Sequence, residues 1–75
     1  MKYQIGDKFL LDDIECKVAH ISNNEQAYLV PLYDGGTYNN IPLWRGLVFA
    51  IINKKGYDTL GNKVVSLPRK DCGAV

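Results

Sequence analysis

Residues 8–21, KFLLDDIECKVAHI, decide the fold. Ile14, Cys16 and Val18 alternate with Glu15 and Lys17, the period of two that sends one face of a strand inward and the other to water. Before them, KFLL is a second β-forming run. The Asp12-Asp13 pair between the two runs tolerates turn conformations and predicts a tight β-hairpin. Val18 and Ile21 are three apart, so the alternation slips and a bulge or bend is expected near Ala19 and His20.

Working outward, the punctuation stays frequent and regular. Upstream, IGDK opens with a Gly-Asp turn, and downstream SNNEQ (22–26) is a polar turn before the apolar run AYLVPLY (27–33). Pro31 has no amide hydrogen to donate, which places its part of that strand at an edge or a bulge. DGG (34–36) is expected to turn the chain, and TYNNIPLW to return antiparallel with Pro42 limiting its pairing. LVFAIIN (47–53) has two readings. A helix around residues 42–54 has Asn40 as a cap, Pro42 near its first turn, Lys54 and Lys55 in its last turn and Gly56 as its stop. Gly46 and the β-branched Val48, Ile51 and Ile52 weigh against it, and the strand is preferred. YDTLGNKVVSL (57–67) reads as a hairpin about Gly61-Asn62, and PRKDCGAV (68–75) as a loose tail.

Length and composition bound what such a chain can do. Seventy-five residues make one domain with a small core, and 47% hydrophobic with 23% charged residues is ordinary for a globular protein. The expectation is a single all-β domain over 1–68: a small, strongly bent antiparallel sheet closing into a barrel, with residues 69–75 as tail. A net charge of +1 falls well short of the basic footprint of a dedicated nucleic-acid domain. The N-terminus carries no apolar run of signal-peptide length, and no stretch approaches a membrane span, so a cytoplasmic protein is expected. Cys16 and Cys72 form no CxxC pair and are too few for a disulfide framework; a single bridge between them stays open as an alternative.

The run IGDKF…IECKVAHI…AYLVPLYDGGTYN resembles the first half of an SH3-like small barrel. It is also similar to short stand-alone barrel proteins of bacteriophages and mobile elements, in which a G-D-x-F entry leads to a hairpin and an L-V-x-L-x-x-G strand. The resemblance covers residues 5–45 and implies a fold. It also implies a phage protein that inhibits a host defence factor in the host cytoplasm.

Catalytic chemistry has little to stand on. His20, the single histidine, lies four residues after Cys16, and on a straight strand their Cα atoms would be roughly 13 Å apart, beyond hydrogen-bond reach for a nucleophilic pair. One His, two distant Cys and scattered carboxylates give no zinc spacing. Asp12, Asp13 and Glu15 sit at a predicted hairpin tip without the fuller oxygen set of a calcium loop, and read as a solvated turn. No metal or cofactor and no enzyme activity is expected.

The stretch YDGGTYNNIPLWRG (33–46) stands out instead. Tyr33, Tyr38, Asn39, Asn40, Trp44 and Arg45 form the residue mixture enriched at binding hot spots, and are the candidate partner contacts. The competing reading is that Trp44 and one tyrosine cap the end of a barrel while Gly35, Gly36, Asn39 and Asn40 permit turns. Lys54, Lys55, Arg69 and Lys70 are candidates for a small phosphate-facing patch. The favoured function is therefore a non-enzymatic module that captures a protein partner. The alternative is a nucleotide or single-stranded nucleic-acid binder that stacks bases on Tyr38 or Trp44. Proline-interrupted edges also allow a homodimer.

Overall fold

In the computed structural model, residues 3–67 are described. Seven short strands are arranged as a five-stranded antiparallel sheet and a two-stranded ribbon: β1 (Lys8–Leu11), β2 (Ile14–Ile21), β3 (Ala27–Pro31), β4 (Thr37–Tyr38), β5 (Ile41–Pro42), β6 (Ala50–Ile52) and β7 (Val65–Ser66). The sheet runs β6-β3-β2-β1-β7 and β4 pairs with β5. It is strongly curled into a half-barrel, so the all-β, barrel-like reading holds.

The deciding stretch folds as its pattern requires. Leu11 pairs with Ile14 across Asp12 and Asp13, whose φ angles of 52° and 66° are those of a two-residue type I′ turn. Cys16 and Val18 are buried while Glu15 and Lys17 are exposed. The β2–β3 register shifts between Val18 and His20, where the alternation slips. That shift lets an eight-residue strand bend enough to serve both β1 and β3. Pro31 pairs with Cys16 in β2, but β6 covers β3 only from Ala27 to Leu29, so the proline sits where one side of β3 has no neighbour.

Three turns share one design. Ser22–Gln26, Asn53–Tyr57 and Asp58–Asn62 each close with an amide of the fourth residue donating to the carbonyl of the first, and the amide of the first to the carbonyl of the fifth. The fourth position has positive φ in each: Glu25 at 65°, Gly56 at 92° and Gly61 at 89°. This is a three-residue hairpin connection with a left-handed residue at its end. In each turn the first side chain accepts amides ahead of it: Ser22 Oγ from Gln26, Asn53 Oδ1 from Lys55 and Tyr57, and Asp58 Oδ1 from Leu60 and Asn62.

The preferred strand reading of the segment after Gly46 holds in part, and two other expectations are corrected. No helix forms around residues 42–54: β5 ends at Pro42, the chain is irregular from there up to Phe49, with a turn closed by Leu47 N–H donating to Trp44 O at 3.1 Å, and Ala50–Ile52 is strand. Gly46, at φ 93°, and the β-branched residues beyond it explain why. The last hairpin turns at Thr59-Leu60 rather than at Gly61-Asn62, since Gly61 takes the left-handed position after the turn. The return after DGG is itself a hairpin, β4–β5, tipped by Asn39 and Asn40 at φ 52° and 68°. The tail from residue 69, with Cys72 in it, lies outside the described residues.

The core lies on the concave face of the sheet, with Leu11, Cys16, Val18, Leu29 and Ile52 fully buried. Tyr3, Tyr38, Leu43, Phe49 and Val64 close over them. Removing a side chain such as Leu29 costs about 2–5 kcal/mol through lost contacts and the cavity left behind.

Candidate binding surface

Residues 34–45 form a continuous β-hairpin arm. Below the β4–β5 pairs, Gly35 N–H donates to Leu43 O and Leu43 N–H to Gly36 O, each at 3.0 Å, and at the base Arg45 N–H donates to Asp34 Oδ1 at 2.8 Å. The same Asp34 oxygen lies 3.7 Å from Arg45 Nε. The glycines and asparagines supply backbone conformations, as one of the two sequence readings has it, yet the arm also presents side chains.

Tyr33 and Trp44 flank the Asp34–Arg45 link and are 66% and 54% exposed. Trp44 is held in place: its ring lies against Gly46, where an added Cβ would come within 3.3 Å of Trp44 Cζ3. Asn39 and Asn40 are exposed at the arm's tip. Tyr33, Trp44 and Arg45 thus share the base of the arm, and the two asparagines stand at its far end.

Tyr38 is corrected as a contact residue, being 5% exposed. Its ring packs edge-on against Phe49 with centroids 5.3 Å apart. Its hydroxyl donates to Asp58 Oδ2 at 2.5 Å and accepts from Asn62 Nδ2 at 2.9 Å. Burial, with the Asp58 carboxylate beside it, pushes the phenol up. Burial also acts to raise Asp58, but hydrogen bonds from Tyr38, from the Asn62 and Leu60 amides and from the Asn62 side chain outweigh it and hold the carboxyl below its ordinary value. This buried carboxylate was invisible in the sequence reading. The signal that finds it is the repeated pattern Asn53-x-x-Gly56 and Asp58-x-x-Gly61, which places Asp58 first in a turn of the same build.

Beside Asp58 the arm and the Asp58–Asn62 turn border a half-open cavity of about 150 Å³, lined by Tyr38, Asn39, Ile41, Phe49, Ala50 and Leu60 among others. That is below the 300–1,000 Å³ of small-molecule sites. It suits a single side chain.

The other candidates do not converge on it. Lys54 and Lys55 are exposed on the Asn53–Tyr57 turn, and Arg69 and Lys70 lie outside the described residues. Cys16 is buried, with Sγ 3.4 Å from Phe9 O and its thiol pushed up to about 12 by burial, while His20 is exposed and packs edge-on against Tyr28 at 5.2 Å. Among the described residues no group of three or more His, Cys, Asp or Glu could hold a metal ion, and no helix is long and apolar enough to cross a membrane. No protein-family model matches this chain, and comparison with curated proteins and with solved structures likewise gives no match.

Proposed function

We propose that the chain is a non-enzymatic binding module that captures a protein partner on the base of its hairpin arm, through Tyr33, Trp44 and Arg45. The observation that carries this is the placement of two exposed aromatics on either side of the Asp34–Arg45 link. A rigid aromatic needs little ordering on binding, and Trp, Tyr and Arg are the side chains that dominate interface energetics. Asp34 favours a protein over a nucleic acid, because it sets a carboxylate next to Arg45, where a phosphate would have to approach. The resemblance of residues 5–45 to stand-alone SH3-like phage proteins extends the proposal to an inhibitor that occupies the surface of a host factor.

The test is quantitative capture from a bacterial extract by the immobilised chain, compared with Trp44→Ala/Arg45→Ala and with the exposed-strand control Lys17→Ala. Prey enriched by the parent and by the control, and lost with the double variant while its circular dichroism is unchanged, supports the assignment. Undiminished capture by the double variant overturns it.

A further inference from the structure

We infer that the cavity between the hairpin arm and the Asp58–Asn62 turn seats a lysine side chain of a protein partner. Asp58 lines the cavity and is 6% exposed, yet the groups that donate to it, the Tyr38 hydroxyl, the Leu60 and Asn62 amides and the Asn62 side chain, are all neutral. Among the described residues no Lys or Arg lies within ion-pair distance of it; the only such pair is Arg45 with Asp34. A buried carboxylate with no cation beside it among the described residues is complementary to a positive group.

The shape and chemistry of the walls select which cation. Ile41 and Leu60 stand half-exposed at the lining, and Phe49 and Ala50 are buried within it, so an aliphatic stem has apolar surface to lie on. An ionised carboxylate has about four acceptor sites, and the four donors around Asp58 leave no room for a further two-pronged pair. A compact ammonium is attracted to such a crowded carboxylate as a point charge, whereas the two-pronged fork of a guanidinium needs two open acceptor sites. The occupant is therefore lysine rather than arginine. The pocket lies at the opposite end of the arm from Trp44. It rests on the binding-module reading only for the source of the lysine, since its ligand chemistry stands alone.

The probe is n-butylammonium, a lysine side chain without its backbone, titrated into the isotopically labelled full chain by NMR against n-butanol and n-propylguanidinium at matched ionic strength. Saturable shifts of the Leu60 and Asn62 amides are expected. Binding of n-butylammonium should be about tenfold or more tighter than that of n-butanol, the scale of one hydrogen bond to a charged group. Ile41→Ser/Leu60→Asn, at half-exposed positions that the fold tolerates, should abolish saturation, and Asp58→Asn should erase the preference for the ammonium where it folds. Non-saturating shifts, equal response to n-butanol, tighter binding of n-propylguanidinium or an unaltered isotherm in the double variant would each overturn the proposal. Trp44→Ala should leave the isotherm unchanged, so failure of the capture experiment and failure of this one are separable.

Discussion

Tyr38 donates its phenolic proton to Asp58 across 2.5 Å, joining the hairpin arm to a turn twenty residues further along the chain. Asn62 completes the link by donating to the same phenolic oxygen. The arm makes its two-stranded ribbon with itself, so this polar link and the packing of Tyr38 and Leu43 fasten it to the curled sheet.

Tyr38→Phe keeps the ring on Phe49 but leaves Asp58 Oδ2 and the Asn62 side chain each short of a partner. A buried polar group left unpaired costs about 1–3 kcal/mol. The urea midpoint is expected to fall accordingly, with an unchanged slope. A midpoint equal to the parent's would show that the hydroxyl contributes nothing.

Acid should act through Asp58. Its carboxyl is held below the ordinary value of 3.8, so the stability it lends is fully present above that value and is lost as pH falls through the lower, folded value. Urea midpoints measured from pH 6 downward should therefore decline below about pH 4, as the linkage requires. In Asp58→Asn, which starts less stable, that decline should be shallower. An equal decline in both proteins would assign acid sensitivity to other groups.

At the alkaline end, three groups act in one direction: burial raises Cys16 to about 12 and also raises Tyr3 and Tyr38. For a raised group, stability is complete below the unfolded value and disappears as pH rises through the folded one, so loss begins above the thiol's ordinary 9.0 and continues toward 12. Cys16→Ala is expected to show a weaker fall in urea midpoint from pH 9 to 11. In a Cys72→Ser background, Cys16 should resist a thiol reagent at neutral pH until urea unfolds the chain.

The three matched turns make an internal control. Glu25 holds a left-handed conformation that Gly56 and Gly61 hold in the other two. Glu25→Gly should stabilise, and Gly61→Ala should destabilise, each by roughly 1 kcal/mol. Thermal denaturation of the two variants checks the opposite signs. A loss of stability in Glu25→Gly would mean that the glutamate earns its place by another contact.

Trp44→Ala removes an exposed ring and is expected to change stability by less than about 0.5 kcal/mol, the range for surface substitutions. A larger loss would make Trp44 a structural cap of the barrel end, the reading that competes with partner binding.

Where one rule acted on neighbouring residues, the fold was legible in advance. The Ile14-Cys16-Val18 alternation, the Asp12-Asp13 turn and the slip near Ala19 and His20 all appear where the pattern puts them. Legibility failed where two local signals competed. Asn39-Asn40 and Asp34-Gly35-Gly36 can each reverse a chain, and pairing of Tyr38 with Ile41 chose the asparagines. Gly61 satisfies a two-residue or a three-residue turn, and the Asp58 side chain, accepting two amides, chose the latter. Of the candidate contacts, Trp44, Arg45 and Tyr33 could be placed on a loop from composition. That Tyr38 faces inward while Tyr33 faces out could not, because the aromatic character of both is the same.

By itself the sequence determined an all-β chain with its first hairpin, its bulge and a cluster of interface-type residues in 33–46, since strand periodicity and turn chemistry act over a few neighbouring positions. The tertiary structure alone decided the partnership of Tyr38, Asp58 and Asn62, and with it the cavity beside Asp58. Those residues meet because the sheet curls, and curling is set by the packing of distant side chains around one small core.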